Sequence, residues 1–513
     1  MSPINPIIPG FAPDPSVVKV GEWFFLINSS FHLFPGLPIY ASQDLVSWRH
    51  IGNAINRQSQ LSLSRSKTEL HPLPTGEVLV ATGGLYAPTI RYHDGTFYVV
   101  CTNVVRTVTG DSTQNFIISS KDIWADSWSD PVYFEFDGID PSLFFDDDGK
   151  TYIQGSAAPG PFTTINMFEI DLGSGRKLSE ERTIWRGTGG IYPEGPHLYK
   201  QKGYYYVVIA EGGTHEGHMV TMARSTNIWG PYEGCPDNPV LTARDTDEYI
   251  QYTGHCDVFQ DDRDQWWCTC LGVRKDKNGR YVMGRETFLT QGRWDGDWLS
   301  LDQVKPMPSG LLSRGEGKKL VANPSVDYVY IRDAILSNYT LPSSASDGLT
   351  LTASSADLSH PQKSPSFIGK RQRHLDGCSG VELDIVEATW MATKLRAGMA
   401  CYKDEHRFLR IYYDATELAI VTETINKPKG ICRQERLTLE SLPKSIAFRI
   451  QYTEQEYRLF HTVGNAGQAN WKCVSTIDTL NLTGPDFTGP VIGVFAVAES
   501  TDTEVRFRNL TIC

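Results

Sequence analysis

Along the first three hundred residues, short apolar runs and polar turns recur in a fixed order. The stretches APDPSVVKVGEWFFLINS, YAPTIRYHDGTFYVVCT, IDPSLFFDDDGKTYIQGS, EGPHLYKQKGYYYVVIA and GHCDVFQDDRDQWWCTCL share one grammar. Each opens on a special residue, usually with proline close behind. An apolar segment, a polar turn and a run of aromatic and β-branched residues follow. The turns HDG, DDDG, KQKG and DDRD carry hairpin chemistry, so each copy predicts a β-hairpin. Starts near residues 12, 87, 140, 194 and 255 recur at roughly fifty to seventy residues, the range of propeller blades rather than of helical solenoids. The intervening segments, such as NFIISSKDIWADSWSDP and HMVTMARSTNIWGPYEG, read as outer strands of four-stranded blades. Five copies predict five blades.

The pattern changes after DWLSLDQVKPMPSGLL. From about residue 325, segments such as GVELDIV, GMACYKDEHRFLRIYYD, IAFRIQYTEQEYRLFHTV and GPVIGVFAVAE alternate with period two between closely spaced turns, which predicts a β-sandwich. The expected fold is therefore all-β: a five-bladed β-propeller over residues 1–310 and a β-sandwich domain over 325–513. No long flexible linker separates them, which favours a sandwich packed on the propeller over an independent module.

Composition narrows the partners. A formal charge of −12 weighs against a nucleic-acid partner, because phosphate binding wants a basic face. A neutral or polar small molecule or polymer fits better. No run of about 20 apolar residues exists, so no membrane-spanning helix is expected. The start MSPINPIIPG has no basic region and no apolar core, so no signal peptide is visible; a cytoplasmic protein and a mature secreted form both stay open. The ten cysteines follow no framework spacing and read as mostly buried and free, with Cys268 and Cys270 on one face of a strand.

The chemistry sits at the repeat starts. In a propeller the innermost strand of each blade lines the channel, and its first residues crowd round the axis at one mouth. The residues expected there are Asp14, Ala87 with Tyr86 beside it, Asp140, Glu194 and His255. Pro15, Pro88, Pro141 and Pro196 are expected to hold the preceding backbone extended. Singly, each acid reads as a turn or surface carboxylate and His255 as a structural histidine. Their recurrence at equivalent positions argues for a shared site. Two carboxylates across a gap of about 6.5–9.5 Å are the equipment of an inverting glycosidase, one protonating the leaving oxygen and one activating water. A third carboxylate near the acid would raise its pKa and keep it protonated.

The segments GFAPDPS, SSFHLFPGLPIYASQDLVSW, GIDPSLFFDDDGKTY, EGPHLYK, AEGGT, TGHCD and GRETFL together resemble glycoside hydrolase family 43, in particular its β-xylosidases and α-L-arabinofuranosidases. The resemblance runs in order through residues 3–305 and continues into the C-terminal domain. It implies a five-bladed propeller, a jelly-roll, concanavalin-like sandwich, and exo-acting, inverting hydrolysis of β-D-xylose or α-L-arabinofuranose ends. Position by position it implies Asp14 as general base, Asp140 as tuner of the acid, and Glu194 as general acid. It further implies that Arg285 binds sugar hydroxyls and that Phe31 and Thr214 line the sugar site. His255 matches a channel histidine that helps hold a calcium ion or water in some relatives. No cofactor is otherwise expected. Tyr86 and Ile139 stand where those β-xylosidases usually have Trp and often Phe, which alters the pocket wall. The run Asp146-Asp147-Asp148-Gly149 lacks the twelfth-position ligand of a calcium loop and reads as a turn. An arabinan-degrading enzyme, a non-catalytic carbohydrate-binding propeller and a protein-interaction propeller are the alternative readings.

Overall fold

The computed structural model describes residues 4–158, 160–311, 320, 323, 325–342, 348–385, 390–464, 470–500 and 502–513. Five antiparallel sheets form first, four of them with four strands and one with five. Their first strands are Ser16–Val20, Gly84–His93, Gly138–Phe145, Glu194–Gln201 and Ile250–Gln260. These inner strands touch one another in ring order, and the first touches both the second and the fifth, so the sheets close into a five-bladed propeller. Each predicted hairpin is an inner strand and its neighbour, as in Ser16↔Ile27 and Glu194↔Ala210. The acidic run is the turn between Gly138–Phe145 and Thr151–Ala157, where Gly149 N–H donates to the carbonyl of Asp146 at 3.0 Å.

Closure is completed by the N-terminal segment, which lies along the outer part of the last blade. The amide of Asn5 donates to the carbonyls of Leu289 and Lys305 at 2.8 and 2.7 Å, and Ala12 N–H donates to the carbonyl of Arg285 at 3.0 Å. The aromatic runs fill the gaps between blades: Tyr206, Phe288 and Leu299 form one such cluster, and Phe134, Phe136 and Phe168 another.

The second half forms a sandwich of an eight-stranded and a seven-stranded sheet. The larger sheet takes its edge strand from the propeller, pairing Phe34 with Tyr330 and Leu33 with Ile331. A propeller hairpin, Thr68–Pro72 with Val78–Thr82, reaches back and bridges Val80 to Asp486. Ion pairs such as Arg280–Asp478 at 2.8 Å also cross the junction. One apolar cluster runs without a break from Phe25, Ile39 and Leu85 to Ile368, Met399 and Val494. The two domains therefore share a core. All ten cysteines carry free thiols, and Cys101, Cys235, Cys256, Cys268, Cys270 and Cys401 are buried. Among the described residues no helix is long and apolar enough to cross a membrane.

Candidate active site

Every inner strand is kinked, just ahead of its first residue or within its first six. Asp14, Ala87, Asp140 and His255 have φ of 53°, 21°, 53° and 46°, and Gly195 has 56°. The register slips at the same places, between Tyr86 and Thr89, Ile139 and Ser142, Glu194 and His197, and Gly254 and Cys256. The prolines thus do not hold an extended residue ahead of them, as the sequence suggested. They follow a left-handed residue, and their missing N–H suits a bulge where the ladder is broken. Left-handed backbone is uncommon outside glycine and held where the surroundings enforce it, often at functional sites.

This register also corrects the placement of Glu194. The residue equivalent to Asp14 and Asp140 is Gly195, and Glu194 stands one position earlier, level with Tyr86 and Ile139. Glycine is required at 195 because a Cβ there would lie 2.9 Å from the ring of His255. The fourth blade therefore supplies its carboxylate from the position before the kink, on a longer side chain.

The acids are differently held. Asp14 is buried; it accepts from Ser29 Oγ at 2.6 Å and from Arg285 Nη1 at 3.3 Å, with His255 Nδ1 at 3.7 Å. Asp140 is buried and accepts from the Gly195 N–H at 3.1 Å. Burial, with the charge of Asp14 adding to it, pushes the Asp140 carboxyl up to about 6, against the opposing pull of His255, the Gly195 N–H and Arg285. Burial, then the charges of Asp140 and Asp14, hold the Glu194 carboxyl well above the usual range, opposed by Arg285. So the charges of Asp14 and Asp140 both bear on Glu194, and that of Asp14 bears on Asp140.

Arg285 ties these groups together. Its Nη1 also donates to Thr214 Oγ1 at 3.0 Å and its Nη2 to the carbonyl of Phe487 at 3.2 Å. Phe487 belongs to the sandwich domain, and its ring lies 4.9 Å from the guanidinium. Phe31 is buried between Phe11 and Phe487, with ring centroids 6.0 and 5.6 Å away. Tyr86 meets Phe31 edge-on at 5.0 Å and is anchored by its hydroxyl, which donates to the carbonyl of Thr82 at 2.8 Å. Phe31 thus backs the wall, while Tyr86, Ile139 and Phe487 remain part-exposed. The structure brings Asp14, Asp140, Glu194, His255, Arg285, Thr214, Phe31 and Tyr86 together; Ile139 adjoins Asp140 in the chain.

Among the described residues no three His, Cys, Asp or Glu side chains are placed to hold a metal ion. Among the described residues His255 is thus not joined by two further His, Cys, Asp or Glu groups in a metal-holding set. A cavity of about 760 Å³ between Ser64, Asp333, Tyr339 and Lys363 lies at the domain junction and is lined by none of the three acids.

Two groups of residues escaped the sequence reading. Phe487 carries no repeat signal, being one aromatic in GPDFTGP within the sandwich. Below the acids lies a second ring, two residues past each kink: Ser16, Thr89, Ser142, His197 and Asp257. Asp257 accepts from Ser16 Oγ at 2.7 Å, Tyr199 Oη at 2.7 Å and Arg91 Nη1 at 2.8 Å. Arg91 Nη2 donates to His197 Nδ1 at 3.0 Å, and burial, with the arginine charge adding, takes His197 down to about 3. The repeat itself held this second signal.

Comparison with known proteins adds to this geometry. The profile described as "Glycosyl hydrolases family 43" matches residues 3–299, and "Beta xylosidase C-terminal Concanavalin A-like domain" matches residues 322–511. The chain is 34% identical over 510 residues to the non-reducing end α-L-arabinofuranosidase BoGH43B of Bacteroides ovatus, covering 96% of this chain and 90% of that protein. It is 41% identical over 308 residues to a xylosidase/arabinosidase of Butyrivibrio fibrisolvens, covering 57% of this chain and 55% of that one. The crystal structure of a xylan β-1,4-xylosidase from Bacillus halodurans C-125 superposes with a TM-score of 0.86 at 26% identity, covering 99% of both chains.

Proposed function

The chain belongs to glycoside hydrolase family 43 and is a glycosidase, and from that premise we propose that it removes terminal β-D-xylose or α-L-arabinofuranose, or both, from oligosaccharide or polysaccharide ends with inversion. In this reading Glu194, held protonated, gives its proton to the glycosidic oxygen as the bond to the leaving sugar breaks. Asp14 takes a proton from water as that water attacks the anomeric carbon from the opposite face. Asp140 keeps Glu194 protonated by its negative charge, and its own carboxyl is tuned by the same burial. Arg285, itself bonded to Thr214, fixes Asp14, and Arg285 and Thr214 offer donors to sugar hydroxyls.

The observation that carries the reading is the division of labour among the acids. One carboxyl is pushed well up by burial and by its two neighbours. Another is gripped by an arginine and a serine. That is the pairing an acid and a base require. No step needs a metal; should a calcium ion occupy the channel, His255 would meet it through water.

A panel of p-nitrophenyl glycosides, β-xyloside, α-arabinofuranoside and β-galactoside, tests the sugar assignment. Cleavage of the first, the second or both is expected, and the β-galactoside should stay intact. Proton NMR of the first-formed sugar reads the stereochemistry, and a retained anomer would overturn the inverting scheme. Binding of these sugars without cleavage of them or of natural oligosaccharides would leave a non-catalytic carbohydrate-binding propeller instead.

A further inference from the structure

Glu211 is fully buried within the blade that bears Glu194, at the end of the strand Tyr204–Glu211 that pairs with Glu194–Gln201, and its carboxylate is gripped by a loop. The Thr188 N–H donates to both its oxygens, at 3.1 and 3.0 Å. Thr188 Oγ1 donates to Oε1 at 3.3 Å, and Thr221 Oγ1 donates to Oε2 at 2.5 Å. The loop curls close: a Cβ on Gly187, whose φ is 73°, would lie 2.5 Å from Oε1, and one on Gly190 would lie 3.2 Å away. A glycine-rich turn has thus been shaped around a carboxylate, where a neutral group of equal size would leave donors unmet.

That loop leads directly into Glu194. Its later residues are pinned elsewhere: Gly212 N–H donates to the carbonyl of Ile191 at 2.7 Å, and Tyr192 N–H to that of Pro161 at 2.8 Å. The carbonyl of Pro193 accepts from Ser156 Oγ at 2.8 Å and Thr163 Oγ1 at 2.9 Å. Three residues past Glu211, Thr214 accepts from Arg285, which in turn grips Asp14. One short stretch, 211–214, is therefore tied both to the loop that presents the acid and to the arginine that holds the base.

We propose that Glu211 is a positioning residue, which acts through Thr188 and the loop to Pro193 to fix the carboxyl of Glu194 against the departing oxygen. The inference rests on the reading of Glu194 as the proton donor. Glu211 touches neither sugar nor water in this role. Removing it loosens the aim of the acid, so the loss falls on substrates whose leaving group needs a proton.

The test compares Glu211→Gln and Thr188→Ala with the parent enzyme on a p-nitrophenyl glycoside it cleaves and on the matching disaccharide. Glu211→Gln is expected to lower kcat on the disaccharide about 10- to 100-fold while changing p-nitrophenyl hydrolysis less than about threefold, with KM held. Thr188→Ala, which keeps the backbone donor, should show the same bias at a few-fold and serves if Glu211→Gln does not fold. Equal loss on both substrates, or a lowered Tm with unchanged rates, would overturn the proposal and leave Glu211 as a stability element. Glu194→Gln is measured alongside. If it shows the leaving-group bias and the Glu211 and Thr188 variants do not, only the positioning role fails. If Glu194→Gln itself shows no bias, the acid assignment fails and this inference with it.

Discussion

Phe487 of the sandwich stacks on Phe31 of the propeller, with ring centroids 5.6 Å apart and planes 26° from parallel. The segment that presents it is locked from both sides. Asp486 accepts from Lys403 Nζ and Arg407 Nη1, both at 2.5 Å, inside the sandwich. Val80 N–H donates to the carbonyl of Pro485 at 2.9 Å, and Phe487 N–H donates to that of Val80 at 3.4 Å, on the propeller side. The surroundings of Arg285 and Asp14 are therefore built by both domains.

Phe487→Ala should accordingly raise KM about tenfold with a smaller effect on kcat, since an aromatic wall contact is worth about 1–1.5 kcal/mol and tenfold is about 1.4 kcal/mol. Steady-state kinetics on the preferred p-nitrophenyl glycoside read this directly. An unchanged KM would place the sugar away from the second domain.

Asp140→Asn should separate stability from activity. The folded carboxyl sits at about 6 instead of near the ordinary 3.8, so its ionised form opposes folding. The sign follows: the penalty is absent below about pH 4, grows through the window up to about pH 6, and is complete at pH 7. Two pKa units correspond to about 3 kcal/mol as an upper bound. The variant should thus have a higher Tm than the parent at pH 7 and an equal one near pH 4. Its kcat should fall, and the alkaline limb of its pH–rate profile should move to lower pH, because Glu194 loses a neighbouring charge that raises its pKa. A profile of unchanged position would argue against the tuning role.

How much of this was legible can be argued from the repeat. Hairpins, blade count and the three acids follow from a period that is written five times, and each copy supports the others. The offset of Glu194 did not follow, because proline spacing alone shows where a strand starts and not where its backbone turns left-handed. Gly195 was the clue: a glycine standing where Asp14 and Asp140 carry carboxylates. Phe487 was hidden for a different reason. It is remote in sequence, in a domain with no repeat, and its place is set by its own bond to Val80 and by the bonds of the adjacent Asp486 to Lys403 and Arg407.

Gly195→Ala should be far more damaging to rate than to folding. The new methyl would meet the His255 ring at 2.9 Å, on a backbone with φ of 56°. Left-handed backbone costs an alanine about 1–2 kcal/mol, and the clash displaces the histidine, the acid next door, or both. Loss of more than about 100-fold in kcat is expected for a misplaced donor. Near-normal kcat would mean that the site tolerates movement of both groups.

Asp257→Asn tests the floor of the channel. The Arg91 guanidinium beside Asp257 holds its carboxyl far below the usual carboxylate range, against the effect of burial. A depressed carboxyl contributes stability above its unfolded value of about 3.9, and that contribution is lost as pH falls through the lower folded value. Removing the charge leaves Arg91 buried against a neutral amide, so the destabilisation at pH 7 should be about 3–5 kcal/mol. Denaturant unfolding followed from pH 7 to pH 3 should show the gap to the parent holding steady down to about pH 4 and narrowing only below it. Glu194 and Asp14 lie one layer above, so on the proposed roles the shape of the pH–rate profile should not change. A shifted profile would show that this ion pair also sets the field at Glu194, and the floor would then count as part of the catalytic apparatus.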